Sequence, residues 1–233
     1  MVSIDKAVVA RYKQGNKIFE ILVDCEKAIE FRSGKSISLD EVLATNEIFK
    51  DARKAERVSD SDLKSVFKTE DINEVVKIII QKGEIHLTKD YQDKLREEKR
   101  RKIINFIHRN AVDAKTGLPH PPQRIENAMN EAKVRIDDNK SADEQVEEII
   151  KQLRIILPIK FEIREIEIKI PPQFAGGSYN IFKKFGKLIK DEWQDDGSLK
   201  AVVEIPAGIT EELFNELNKL THGEVESKII KTK

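Results

Sequence analysis

Tyr91-Gln-Asp-Lys-Leu-Arg-Glu-Glu-Lys-Arg-Arg-Lys-Ile-Ile-Asn-Phe-Ile-His108 opens the stretch that decides the fold, which runs on to Leu157. The spacing predicts three successive helices, the first reaching about Val112. Lys115-Thr-Gly-Leu-Pro-His-Pro-Pro122 is a punctuated loop, and Pro122 sits where a helix tolerates proline, in its first turn. Ile125, Ala128, Met129 and Ala132 recur at i, i+3, i+4, i+7, so the second helix buries one narrow stripe. Ser141 with Glu144 forms a capping box for the third, and Val146, Ile149, Ile150, Leu153 and Leu157 repeat the stripe. Three amphipathic helices on short connections predict a compact bundle, a relative of the winged-helix and helix-turn-helix class.

Outward from this centre, residues 1–88 mix strand and helix signals. Ala7–Lys13 and Lys17–Asp24 are β-rich runs around Gln14-Gly15-Asn16, a hairpin signal. Ser38 with Glu41 reads as a capping box opening a short helix, after Arg32-Ser-Gly34 has stopped the one before. Ser59 and Asp71 start two more, Gly83 ends the last, and Glu84–Thr88 reads as a returning strand. This part is an α+β unit. The helical part spans 89–158.

Residues 159–233 begin with Ile159–Ile170, where apolar and charged residues alternate as in a strand with one buried face. Pro171-Pro172 stops it, a helix follows from Phe174, and strands Leu188–Trp193 and Leu199–Ile205 flank Asp195-Asp-Gly197. Thr210 is expected to cap the next helix, and Val225–Ile230 to close the sheet. The order β-α-β-β-α-β is the ferredoxin-like arrangement. The fold class is therefore α+β in three small domains.

Of the 233 residues, 42 are Lys or Arg and 42 Asp or Glu, so no global field draws the chain to nucleic acid and any such contact is local. One cysteine, Cys25, leaves no internal disulfide and fits a reducing compartment. No apolar run is long enough to span a bilayer and the N-terminus lacks a signal-peptide core, so a cytoplasmic protein without membrane contact is expected; a monomer is the expected state.

Catalytic signals are thin. Gly34-Lys35-Ser36 ends like a phosphate-binding loop, but Ile29 stands where that loop needs its first glycine. His86, His108, His120 and His222 are scattered and no cysteine pair accompanies them, so no metal site is expected. Ser178 lacks a nucleophile-elbow setting, Cys25 an identifiable base, and Gly176-Gly177 reads as a strand-to-helix turn. No catalytic residue and no cofactor is nominated; the chain reads as a non-enzyme.

Cations at helical spacing are the sharper signal. Lys99-Arg-Arg-Lys102, with Arg96 before it and Arg109 after, can neutralise several phosphates. The competing reading is a solvated face, because Glu97 precedes Arg101, and Glu98 precedes Lys102, by four residues. Lys183, Lys184, Lys187 and Lys190 form a second cluster, and Arg11, Lys13 and Lys17 a weaker third.

Three N-terminal segments carry a resemblance: Ala7-Val-Val-Ala-Arg with Lys17-Ile-Phe-Glu-Ile21; Ser38-Leu-Asp-Glu-Val-Leu43 ahead of Ile48-Phe49; and Ile79-Ile-Gln-Lys-Gly-Glu-Ile85. Arg124-Ile-Glu-Asn-Ala-Met129 and Gln145–Leu153 add to it. Together they resemble the Shwachman–Bodian–Diamond syndrome (SBDS) ribosome maturation proteins, in an archaeal form that ends after its last strand without an acidic tail. The resemblance implies a factor that performs no chemistry itself. It implies binding to the large ribosomal subunit and, with an elongation-factor-like translational GTPase, release of the anti-association initiation factor six. Where the eukaryotic pattern has Lys-Arg-Pro this chain has Gly117-Leu118-Pro119, so a basic contact there passes to Lys115 or Arg124. The rival reading is a protein–protein adaptor in RNA metabolism that never touches RNA.

Overall fold

The first hairpin forms where the residues ask for it. Strands β1 (Val8–Gln14) and β2 (Lys17–Val23) pair antiparallel, with Ala10 opposite Ile21 and Tyr12 opposite Phe19. Gly15 takes a φ of +60° in the tight turn between them. The computed structural model describes residues 3–69 and 71–233, in two compact units, Met1–Leu95 and Arg96–Lys233.

In the first unit, helix α1 (Cys25–Arg32) is capped by the Asp24 carboxylate, which accepts from the Lys27 N–H at 3.0 Å. The short α2 (Leu39–Val42) lacks the expected capping box, because the Ser38 hydroxyl donates to the Glu41 carboxylate instead of accepting from the backbone. Strands β3 (Phe49–Asp51) and β4 (Glu56–Arg57) follow, too brief to show alternation and so unforeseen from the sequence. Helices α3 (Asp60–Phe67) and α4 (Ile72–Lys82) start on the Ser59 and Asp71 caps. Strand β5 covers only Glu84–Ile85, shorter than the expected run to Thr88. The sheet order is β4-β3-β2-β1-β5, and Phe19, Ile21, Val75, Val76, Ile79 and Ile80 lie in its core.

Helix α5 (Lys89–Asn110) ends two residues before the predicted limit, because Ala111–Asp113 form strand β6. Helices α6 (Pro122–Glu131) and α7 (Ala142–Leu153) complete the bundle, with both halves of the Ser141–Glu144 box in place. Ile103, Ile107, Ile125, Met129, Ile149 and Leu153 are buried together. Strand β7 (Ile159–Phe161) pairs with β6, Val112 opposite Lys160.

The expected single strand Ile159–Ile170 is thus two. Buried Glu162 separates β7 from β8 (Ile163–Ile170); its carbonyl accepts from the Ala207 N–H at 2.8 Å, and its carboxylate holds Lys160 and Arg164. The chain passes there from the helical core to a second sheet. Helix α8 (Ala175–Phe185), strands β9 (Lys187–Trp193) and β10 (Leu199–Pro206), helix α9 (Thr210–Thr221) and strand β11 (Glu226–Thr232) complete it. The order β11-β8-β10-β9, antiparallel throughout, is ferredoxin-like. Two local expectations are corrected. Thr210 is the first residue of α9 rather than its cap, its hydroxyl donating to the Ala207 carbonyl at 2.8 Å. Gly176 and Gly177 lie inside the first turn of α8, where a Cβ on Gly177 would come 3.3 Å from Leu220 on α9.

Candidate nucleic-acid interface

Helical phase sorts the basic run of α5. Ile103, Ile104 and Ile107 face the core, and the same stripe continued toward the N-terminus comprises Arg96, Lys99 and Arg100. All three are turned onto their own bundle. Arg96 clasps the Asp138 carboxylate with two bonds, 3.0 Å from Nε and 2.5 Å from Nη2. Lys99 Nζ donates to the carbonyls of Asp138 at 2.6 Å and Lys140 at 2.8 Å, and Arg100 donates to Asn130 Oδ1 at 2.5 Å. Arg96 holds the Asp138 carboxyl below the usual carboxylate range. Arg96 and Lys99 fasten the α6–α7 loop, and Arg100 ties α5 to α6.

Of the two expected intrahelical pairs, Arg101–Glu97 forms at 3.2 Å, whereas Lys102 and Glu98 do not pair among the described residues. Lys102 and Arg109 are exposed and have no side-chain partner among the described residues; they flank Phe106 at i−4 and i+3. The same helix therefore carries cations with two different jobs.

Past α5 the loop is braced from inside. The buried Asp113 carboxylate accepts from the Lys115 N–H at 2.8 Å and the Thr116 N–H at 3.2 Å, which lowers its pKa, and the Arg124 guanidinium lies 3.6 Å away. Lys115 itself projects outward, and Arg124 is half exposed. Leu118, at the departure noted above, is 57% exposed and presents an apolar side chain to solvent. His120 is fully buried, and its imidazole is pushed below its ordinary pKa by burial and by Arg124.

The helical and ferredoxin-like cores of the second unit meet beside this loop. The His108 Nδ1–H donates to the His120 carbonyl at 2.8 Å, and its Nε2 lies 3.5 Å from Glu212. Arg164 donates to the Gly117 carbonyl at 2.9 Å and to Glu162 at 2.9 Å. Gly208 fits against the end of α5 so closely that a Cβ would lie 2.0 Å from the His108 carbonyl oxygen.

The second cluster is not one helical stripe. Lys183 and Lys184 lie on the exposed face of α8, with Lys184 3.7 Å from Glu216. Lys187 and Lys190 belong to β9, and Lys190 pairs with Glu192 at 3.2 Å. On the sheet face away from the helices, Lys200 pairs with Glu167 at 3.1 Å, and Lys233 with Glu165 at 2.6 Å and Glu204 at 2.8 Å. An RNA-recognition sheet of this topology stacks bases on aromatics of that face; the central strands here offer Glu165, Glu167, Lys169, Lys200, Val202 and Glu204.

In the first unit, Arg11 is held by Glu20 at 2.7 Å and Lys17 by Asp62 at 2.6 Å. Unforeseen from the sequence, the β3–β4 hairpin presents Lys50, Arg53, Lys54 and Arg57, of which Lys54 pairs with Asp51 at 3.7 Å and Arg57 with Glu47. Buried Glu20 anchors it by accepting from the Ala52 N–H at 2.8 Å. A carboxylate inside the apolar run Ile18-Phe19-Glu20-Ile21 was the available signal.

Groups that could do covalent chemistry are engaged locally. Ser178 is buried and donates to the Ala175 carbonyl at 2.7 Å, Cys25 is buried, and Lys35 of the incomplete phosphate loop pairs with Glu30. Among the described residues no His, Cys, Asp and Glu cluster is arranged to hold a metal, and no helix is long and apolar enough to cross a membrane.

Comparison with known proteins finds family matches along most of the chain. Residues 6–94 match the SBDS N-terminal domain, 101–162 domain II of the SBDS protein, and 164–232 its C-terminal domain. A ribosome maturation protein SDO1 homolog from Methanothermobacter thermautotrophicus is 46% identical, covering 99% of this chain and 100% of that protein. The SDO1 homolog from Aeropyrum pernix is 38% identical, covering 96% of each chain. Ribosome maturation protein SBDS from Caenorhabditis elegans is 28% identical, covering 99% of this chain and 91% of its own.

Proposed function

We propose that this chain, which belongs to the Shwachman–Bodian–Diamond syndrome (SBDS) family, is a ribosome maturation factor acting by binding alone. It docks as a monomer on the large ribosomal subunit in the cytoplasm, touching ribosomal RNA and adjoining proteins. With an elongation-factor-like GTPase it promotes release of the homologue of initiation factor six; the GTPase supplies the chemistry. The observation that carries the RNA part is a set of exposed cations, Lys102, Arg109, Lys115, Lys183 and Lys187, without side-chain partners among the described residues. Such cations release counterions when phosphates replace solvent. Modules linked in one chain convert several weak contacts into tight overall binding.

The test is co-sedimentation with purified large subunits across a salt series. Pelleting that weakens log-linearly with salt, and weakens further in a Lys102→Glu, Arg109→Glu variant, supports the reading. Salt-independent pelleting that this variant leaves intact overturns the RNA contact and favours a protein–protein adaptor.

A further inference from the structure

Phe106 on α5 and Phe161 on β7 stand side by side at the surface, 39% and 37% exposed, with ring centroids 6.3 Å apart. They form one wall of an open groove of about 470 Å³ whose floor is Val146 and Ile150. Asp143, Glu147 and Lys151 of α7, with Arg154 at its C-cap, form the opposite wall, acidic at one end and basic at the other.

Cations bracket the pair. Lys102 precedes Phe106 by four residues and Arg109 follows by three, so both share its face of α5, about 6 Å and 4.5 Å along the axis. Lys102, Arg109, Lys151 and Arg154 have no side-chain partner among the described residues. Within the groove Lys151 and Arg154 balance Asp143 and Glu147, so the surplus positive charge that favours a polyanion comes from Lys102 and Arg109 on the Phe106 face of α5, while Asp143 and Glu147 keep phosphates from one end. An aromatic platform between free cations is the arrangement that holds an unpaired nucleotide: the base stacks on the ring while its phosphates meet Lys and Arg.

We infer that Phe106 and Phe161 are a stacking site for an unpaired base of single-stranded RNA, with Lys102 and Arg109 holding the flanking phosphates. This rests on the RNA-binding reading above and adds a site and a substrate class to it. The site recognises the π-face and the backbone charge, so it tolerates any base and excludes fully paired duplex.

Fluorescence anisotropy with labelled single-stranded oligouridylate and with an RNA duplex tests it on the full-length protein. Phe106→Ala with Phe161→Ala is expected to weaken single-strand binding about tenfold or more while leaving the salt slope unchanged. Lys102→Glu with Arg109→Glu is expected to reduce the slope itself. Phe106→Trp, which keeps a stacking face, is expected to retain affinity and to show quenched indole fluorescence on binding, measured against the Trp193 background. Single-strand affinity unchanged by the double alanine variant overturns the stacking site while leaving the RNA reading standing. If that variant also stops pelleting with large subunits, the groove belongs to a protein partner. Failure of the wild-type chain to bind RNA at low salt overturns the RNA reading itself.

Discussion

Arg96 grips Asp138 with two hydrogen bonds, joining α5 to the loop before α7. A cation used in this way is occupied, and Lys99 and Arg100 are occupied similarly. Arg96→Gln and Lys99→Met are therefore expected to loosen the Asp137–Lys140 loop, Arg100→Gln to loosen the α5–α6 contact at Asn130, and all three barely to alter RNA affinity. Lys99→Met, which frees exposed carbonyls, should cost about 1 kcal/mol in urea unfolding. Faster amide exchange in that loop with an unchanged salt slope is the expected result; a slope reduced as much as by Lys102→Glu contradicts it.

Gly208 leaves no room for a side chain. A Cβ would lie 2.0 Å from the His108 carbonyl oxygen and 2.6 Å from that of Arg109, both backbone atoms. Gly208→Ala is expected to cost about 2–3 kcal/mol, as overpacking against a backbone that cannot yield easily. Limited proteolysis is expected to cut the second unit sooner in this variant. Wild-type denaturation would show that the end of α5 gives way freely.

Glu20 anchors the β3–β4 connection through the Ala52 N–H and is itself gripped by Arg11. Glu20→Ala removes both and leaves a donor unpaired, an expected loss of about 1–3 kcal/mol. Amide exchange at Ala52 reads this directly, and protection equal to wild type is the contrary outcome.

His120 predicts a window of pH sensitivity. Its imidazole titrates below the ordinary value of 6.5 in the folded chain, so below that pH the unfolded chain binds the extra proton first. Its contribution is complete above about 6.5 and declines as pH falls from there toward the folded-state value. Asp113 and Glu162, whose carboxyls are lowered, lose their contribution only near and below pH 4. Urea midpoints measured between pH 5 and 8 are expected to fall on acidification in wild type and to fall less in His120→Phe. Equal slopes in both would remove His120 as the cause.

The local half of this structure was legible because its signals are local. The Ser141–Glu144 box, the Ile125–Met129 stripe and Asp195-Asp-Gly197 each depend on residues within a few positions of one another, and the β-α-β-β-α-β order is a succession of such local signals. They appear where the spacing placed them. The misreadings share the opposite cause. Ile159–Ile170 shifts its alternation by one residue at Arg164-Glu165 but carries no turn signal, and its first three residues pair with remote β6 while buried Glu162 is tied to Ala207.

The candidate interface shows the division most clearly. Composition and spacing alone placed a dense line of cations on one helix, without separating those that face its buried stripe from those that face water. Whether that line meets water or protein depends on a loop returning to it, with Asp138 forty-two positions from Arg96. The adjacency of Phe106 and Phe161 depends on a strand pairing equally remote in the chain. Periodicity fixes the direction a side chain points along its own element. Only the packed chain decides what it finds there, because long-range contacts follow from the burial of every core residue together.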